Sequence, residues 1–138
     1  MPAKAKPTKT TKATKQRAAP KKPGGRGAPR LRIAMGKGLI LGPGKIDLLE
    51  AIARKGSISA ASREMGMSYR RAWLLVEALN QMFSDPVVVA APGGAHGGGA
   101  QITEFGKEVA AAYRRIEQKT RVAIREELAP FSSDIDRN

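Results

Sequence analysis

Residues 57–82, with the sequence SISAASREMGMSYRRAWLLVEALNQM, constrain the fold of this chain more than any other stretch. They predict two helices joined by a tight turn, because Ser57 and Ser68 each stand where a helix begins and serine is a preferred N-cap residue. Gly66 lies at the end of the first helix, where a left-handed backbone favours glycine. The second helix begins at Tyr69. This spacing is typical of a helix-turn-helix, whose second helix enters the major groove of DNA with its N-terminal end first.

The start of the second helix contains the candidate DNA-contacting side chains. Arg70 and Arg71 are predicted to meet base edges or phosphates, since arginine is the usual partner of guanine O6 and N7. The alternative is that both are solvated helix charges. The Tyr69 hydroxyl is predicted to contact a sugar or phosphate. The alternative is that the Tyr69 ring packs on Trp73. Trp73 itself is predicted to lie in the core. Other candidates for phosphate contact lie near helix N-termini: Lys45, Ser57, Ser59 and Ser68. For the three serines, the alternative is that they only cap the helices.

The positive charge of the chain is concentrated at its N-terminus. The formal net charge is +13, and residues 1–30 contain ten Lys or Arg residues and no acidic residue. The other 108 residues contain fifteen basic and twelve acidic residues, a net charge of only +3. The N-terminal segment is rich in Lys, Pro, Ala and Thr and has almost no large apolar residue, so it is predicted to be a disordered tail. Cationic tails bind polyanions, above all nucleic acid; the alternative is a tail that only keeps the protein soluble.

Composition excludes several classes of function. The chain has no cysteine, and its one histidine, His96, lies in a glycine-rich loop. Disulfides, thiolate sites and a metal centre or general base built on histidine are therefore not expected, and neither is an enzyme or a cofactor. No apolar run approaches the roughly 18 residues of a membrane span, and the N-terminal segment has no apolar core, so we do not expect it to be a signal peptide. We expect a cytoplasmic, nucleoid-associated protein that does not contact membranes.

Hydrophobic patterns predict the remaining elements. Residues 31–35 alternate like a short strand, and residues 36–44 are predicted to form a loop. A first helix is predicted from about Lys45 to Arg54, with an inward stripe of Ile46, Leu49, Ile52 and Ala53. The helix that begins at Tyr69 has an inward stripe of Ala72, Val76, Leu79 and Phe83.

A β-hairpin is predicted directly after the helix-turn-helix, over about residues 87–103. Residues 87–89 are Val-Val-Val, and residues 101–103 are predicted to return as the partner strand. The hairpin is predicted to be the wing of a winged helix-turn-helix, with a flexible linker as the alternative. Its tip contains the wing candidates Gly93, Gly94, His96, Gly97, Gly98 and Gly99.

One long helix is predicted over about residues 104–128, capped by Thr103 and followed by a short C-terminal tail, residues 129–138. It would be roughly 35–40 Å long, more than a domain of this size covers. Phe105 and Val109 are predicted to pack on the domain, which leaves the rest of the apolar stripe for a second copy of the chain. The predicted dimer interface comprises Val109, Ala112, Ile116, Ala123 and Ile124.

This order of elements resembles the N-terminal DNA-binding domain of ModE-type molybdate-responsive repressors, a winged-helix group related in shape to LysR regulators. The residues that carry the resemblance are LGPGKIDLLEAIARKGSISAASREMGMSYRRAWLLVEALNQMF and GGAHGGGAQITEFGKEV, within residues 31–128. The most specific parts are the motif GSIS at residues 56–59, Ser68-Tyr69 with Ala72-Trp73, and the glycine-rich wing that closes on Ile102-Thr103 and Gly106.

The resemblance implies a mainly α fold with a small β-hairpin: a winged helix-turn-helix with a long C-terminal dimerisation helix, here preceded by the basic tail. It also implies a sequence-specific regulator that binds double-stranded DNA at an inverted repeat as a homodimer. Full-length members add molybdate-binding modules, for which 138 residues leave no room, so no molybdate site is expected in this chain. The wing departs from the family because Ala90, Ala91 and Ala95 stand where basic residues are usual.

Two other functions remain open at this point. The first is an architectural nucleoid protein that coats DNA without sequence preference, using the tail and the domain. The second is an adaptor that uses the helix-turn-helix for protein contacts. The ratio of specific to non-specific DNA affinity separates the first from a regulator, and loss of all DNA affinity on removal of the tail would indicate the second.

Overall fold

The computed structural model describes residues 28–92 and 98–136. In chain order, the elements are β1 (Ile33–Gly36), β2 (Leu39–Leu41), α1 (Pro43–Lys55), α2 (Ile58–Glu64), α3 (Tyr69–Met82), β3 (Val88–Pro92), β4 (Gly98–Ile102), α4 (Glu104–Leu128), a 3-10 turn (Ala129–Phe131) and α5 (Ser132–Asp136). The predicted winged helix-turn-helix architecture is confirmed. Most of the predicted tail, residues 1–27, lies outside the described residues.

The N-terminal hairpin differs from the sequence prediction. A loop is predicted over residues 36–44, but Leu39–Leu41 pairs antiparallel with β1. The reason is a two-residue turn at Lys37 and Gly38, both with positive φ (56° and 75°), a conformation that matches the twist of a tight hairpin. Lysine rarely adopts positive φ, so the residue types at this turn do not indicate a hairpin.

Helix α1 forms the centre of the core. It begins at Pro43, two residues earlier than predicted, because proline suits the first turn of a helix. Its predicted inward stripe is confirmed at Ile46, Leu49 and Ile52, which are fully buried. Ala53 is exposed, contrary to the prediction, and Leu48 is buried instead.

The other elements pack around α1. The inward stripe of α3 is confirmed by buried Ala72, Val76 and Leu79, with Phe83 half-buried at its end. Phe83 meets Phe105 of α4 edge to face, with 5.4 Å between the ring centroids. The first turns of α4 bury Gly106, Ala110 and Tyr113, and Phe105 and Val109 are partly buried against the same core, as predicted.

The long helix α4 extends well past this core. It has 25 residues, about 37 Å at 1.5 Å per residue, and none of its described residues after Tyr113 is buried. The second half of α4 is therefore an arm that leaves the domain.

No helix in the described ranges is long and apolar enough to cross a membrane.

Candidate nucleic-acid interface

The turn between α2 and α3 is fixed by local hydrogen bonds that follow from the sequence. Ser57 Oγ accepts from the Ala60 N–H at 3.0 Å, and Ser68 Oγ accepts from the Arg71 N–H at 3.0 Å. Gly66 has φ of 70°, the left-handed conformation that ends α2 and starts the turn. Both predicted caps and the predicted glycine conformation are confirmed, so α3 leaves the turn in a defined direction.

The N-terminal end of α3 faces solvent. Ser68, Tyr69, Arg70 and Arg71 are all exposed. In the described parts of the chain, neither arginine forms an ion pair with an acidic side chain. Two uncompensated cations at the tip of an exposed helix form a surface for a polyanion. Because Ser68 Oγ already accepts the Arg71 N–H, its capping role is shown, whereas a phosphate contact stays a prediction.

A second cationic group extends this surface towards α1. Lys45, in the first turn of α1, is half-buried, and its pKa is lowered first by burial and then by repulsion from Arg32 and Arg71. Arg32, just before β1, and Arg71, in α3, therefore each lie close enough to Lys45 to repel its ammonium group. An anion placed among them relieves that repulsion, so this arrangement suits a DNA phosphate.

Trp73 does not lie in the core, contrary to the sequence prediction. Its side chain is 42% exposed, whereas the inward stripe of α3 is occupied by Ala72 and Val76. Trp73 is one residue past Ala72, about 100° around the helix, so it projects from the edge of the inward face. Trp73 and Tyr69 both line a groove of about 310 Å³ between α3 and the wing strands. Whether the Tyr69 ring packs on Trp73, the predicted alternative to a DNA contact, stays a prediction.

The serine candidates differ in what their side chains do. Ser57 is half-buried and caps α2. Ser59 Oγ accepts from Arg63 Nη1 at 2.9 Å, and the Ser59 carbonyl accepts from Ser62 Oγ at 2.7 Å. These serines hold α2 together, and their contacts to phosphate stay predictions.

The wing is attached to the helix-turn-helix by a few hydrogen bonds. Asn80 of α3 accepts from the N–H of Val87 at 2.8 Å and donates to the Val88 carbonyl at 3.2 Å. The N–H of Ala100 donates to the Gly56 carbonyl, just before α2, at 2.9 Å. Asn80 is not recognisable from the sequence, because its role depends on the path of the chain after the helix.

The strands of the wing pair in register from Val88 with Ile102 to Pro92 with Gly98. The paired strands thus extend further towards the tip of the hairpin than predicted, and Gly98 and Gly99 belong to the second strand. Gly93, Gly94, His96 and Gly97 lie outside the described residues. In the described strands, residues 88–92 and 98–102, there is no charged side chain.

Arg114 ties the long helix to α1. Its Nη2 lies 2.6 Å from Asp47 Oδ1 and 2.8 Å from Glu50 Oε1, and its Nη1 lies 2.9 Å from Glu117 Oε1. Hydrogen bonds to Glu50, above all, raise the pKa of Arg114, although burial alone would lower it. Next to it, the Tyr113 hydroxyl donates to the Leu31 carbonyl at 2.7 Å. These contacts fix the direction in which the arm of α4 leaves the domain.

The predicted dimer-interface residues lie in two environments. Val109 packs against the core of its own domain. Further along α4, Ile116 and Ala123 are exposed, and Ala112 and Ile124 are half-buried. Their contact with a second chain stays a prediction.

Comparison with known proteins agrees with this geometry. Residues 44–107 match the model of the bacterial regulatory helix-turn-helix protein, lysR family. The chain is 52% identical over 80 residues to the molybdenum-pterin-binding protein MopB of Rhodobacter capsulatus, a match that covers 58% of this chain and 30% of MopB. It is 39% identical over 88 residues to the molybdenum transport protein ModE of Azotobacter vinelandii, which covers 64% of this chain and 33% of that protein.

A third relative is the DNA-binding transcriptional dual regulator ModE of Escherichia coli (strain K12), 35% identical over 88 residues, or 64% of this chain and 34% of the relative. The chain therefore spans about a third of the length of the curated relatives it matches. The module matched belongs to regulatory proteins and not to an enzyme. The folded part of the chain thus has a winged helix-turn-helix fold, matches the lysR-family helix-turn-helix model over residues 44–107, and is similar to the ModE and MopB proteins over about a third of their length.

Proposed function

We propose that this protein is a sequence-specific, DNA-binding transcriptional regulator that binds an inverted-repeat operator as a homodimer. The observation that carries the proposal is the exposed N-terminal end of α3, where Arg70 and Arg71 have no acidic partner in the described parts of the chain. The lysR-family match covers this helix, and one relative is named a DNA-binding transcriptional dual regulator.

Within the proposed complex, the two arginines have different roles. The helical spacing of 100° per residue turns Arg70 away from the inward face of α3 and turns Arg71 towards α1. Arg70 then faces the floor of the major groove, where it meets base edges. Arg71 joins Lys45 and Arg32, and this group binds the phosphates that fix the position of the helix. The pKa of Lys45 is lowered first by burial and then by repulsion from Arg32 and Arg71.

Dimerisation through the arm of α4 is the second part of the proposal. Ile116 is 42% exposed, and no described residue of α4 after Tyr113 is buried. A second arm covering Ile116, Ala123 and Ile124 would remove this apolar surface from water. A two-fold axis there places two copies of α3 on one face of the DNA, one helical turn or a multiple of it apart, about 34 Å per turn.

A second function, non-specific coating of DNA, is favoured by one feature alone. The ten cations of residues 1–30 provide a sequence-independent attraction to phosphate. A coating protein would bind all duplexes with similar affinity, whereas a regulator binds its operator typically about a thousand-fold or more above random DNA.

Selection of bound duplexes from a random DNA library with the full chain distinguishes these functions. We expect a palindromic motif whose half-sites are separated by one helical turn or a multiple of it. Enrichment without any motif would support the coating function, and a single unrepeated half-site would contradict the homodimer while leaving sequence-specific binding in place.

A further inference from the structure

The DNA-facing end of α3 exposes apolar side chains as well as arginines. Tyr69 is 54% exposed, Trp73 is 42% exposed and Leu74 is 47% exposed. The other large hydrophobic side chains that are exposed in the described residues lie on α4 or just beyond it. Three large apolar side chains are thus exposed within the first six residues of α3, and such a group marks a surface that is covered in a complex.

The shape of this surface is defined by the helix and the wing. Tyr69 and Trp73 are four residues apart, so they lie side by side along α3. Together with Ile58 and Val76 they form one wall of the groove of about 310 Å³, and Val88–Ala90 and Gly98–Ala100 form the opposite wall. None of the residues that line the groove is charged. A phosphate would lose its water here without gaining a cation, which is unfavourable.

The chemistry of the major groove limits what can cover apolar side chains. Its base edges present hydrogen-bond donors and acceptors and one apolar group, the 5-methyl group of thymine. Polar base edges placed against Trp73 or Leu74 would lose hydrogen bonds to water, whereas a methyl group loses none. The neighbouring Arg70 and Arg71 supply the charge that brings this part of α3 against DNA.

From this juxtaposition we propose that Tyr69, Trp73 and Leu74 contact thymine 5-methyl groups in each half-site and thereby select thymine at those positions. The inference rests on the proposed function, because it assigns the base chemistry that α3 recognises. Arg70 and Arg71 hold the helix in the groove and contact phosphates or guanine, and the apolar group adds the preference for thymine.

Replacement of thymine by deoxyuridine tests the inference, because it removes only the methyl group. Two random duplex libraries, one built with thymidine and one with deoxyuridine, are selected in parallel with the full chain. We expect thymine positions in the first motif that lose their preference in the second. At those positions, a single replacement in the selected duplex should weaken binding about three- to five-fold, as expected for one methyl-sized apolar contact.

Matched variants show which side chains make the contact. Trp73→Ala should bind the thymidine and deoxyuridine duplexes with equal affinity at the position that it contacts. Tyr69→Phe retains the ring and should preserve the methyl dependence. Phe131→Ala is the control, because Phe131 is an aromatic residue exposed to 54% and lies beyond α4; it should also preserve the dependence. Circular dichroism of each variant should match the wild-type spectrum, since these side chains lie outside the core.

The outcomes separate this inference from the proposed function. A clear palindromic motif with equal affinity for thymidine and deoxyuridine at every position would overturn the inference and leave the regulator in place. Methyl dependence that persists in both Trp73→Ala and Leu74→Ala would overturn the assignment to this surface. The absence of a motif in both libraries would overturn the proposed function itself.

Discussion

Gly106, in the first turn of α4, is the point where the long helix meets the base of the wing. A Cβ atom at this position would lie 2.4 Å from the Val87 carbonyl oxygen and 2.8 Å from Ile102 Cγ1. Val87 cannot easily move, because its carbonyl accepts the Thr103 N–H at 2.9 Å and its N–H donates to Asn80 at 2.8 Å. Gly106→Ala therefore forces α4 and the wing apart.

The expected loss of stability follows from two opposing terms. Overpacking of a close contact costs about 1–3 kcal/mol, and alanine gains up to about 1 kcal/mol over glycine in helix propensity. We expect Gly106→Ala to lower the free energy of unfolding by about 1–2 kcal/mol, the middle of the resulting range. For a domain of about 100 residues this lowers Tm by about 4–16 °C, which thermal unfolding followed by circular dichroism measures.

The matched control is Gly44→Ala in the first turn of α1. A Cβ at Gly44 meets nothing within 4 Å, so this variant has the gain in propensity without the clash. We expect its Tm to be equal to or slightly above the wild-type value. If the Gly106 variant unfolds at the same temperature as the Gly44 variant, the close packing of α4 on the wing is not a source of stability and the reasoning is wrong.

Three further predictions concern the tail, the arm and its anchor. Deletion of residues 1–27 should weaken binding to all duplexes alike and flatten the plot of log affinity against log salt by about 0.9 for each phosphate that the tail neutralises; equal salt slopes would exclude a tail that binds DNA. Ile116→Glu should give a folded monomer with weaker operator binding, since a dimer would bury an unpaired carboxylate; sedimentation at micromolar concentration measures the mass, and a monomeric wild type would contradict the interface. Tyr113→Phe removes the hydrogen bond to the Leu31 carbonyl and should lower the free energy of unfolding by about 0.5–1.5 kcal/mol in urea denaturation; an unchanged midpoint would show that the bond does not contribute.

The helix-turn-helix could be predicted from sequence because its signals are local. Ser57, Ser68 and Thr103 cap helices through backbone groups three residues away, and Gly66 adopts the backbone conformation that its position requires. Such features depend on residues that are close together in the chain, so they do not depend on how the rest of the protein folds.

The features that sequence analysis misses depend on contacts between distant residues. Asn80 holds the wing through residues seven and eight positions away, and Arg114 gathers carboxylates from α1, more than 60 positions away. Because tryptophan is large and mostly apolar, its residue type favours the core. Which side of the inward stripe stays exposed, however, depends on how α3 packs against the other elements. The pairing of Leu39–Leu41 is hidden because it depends on the positive φ of Lys37.

The measurement that most directly tests the proposed function is the affinity of Arg70→Ala and Arg71→Ala for the selected palindromic duplex and for a scrambled duplex of equal length, at one salt concentration. If α3 recognises bases, at least one variant should lose on the order of 1–3 kcal/mol on the palindrome and less on the scrambled duplex. Arg125→Ala, which removes an exposed arginine from the arm of α4, should leave the ratio of the two affinities unchanged. Equal losses on both duplexes would mean that the arginines only bind phosphate, and wild-type affinity in both variants would contradict α3 as the DNA-contacting helix.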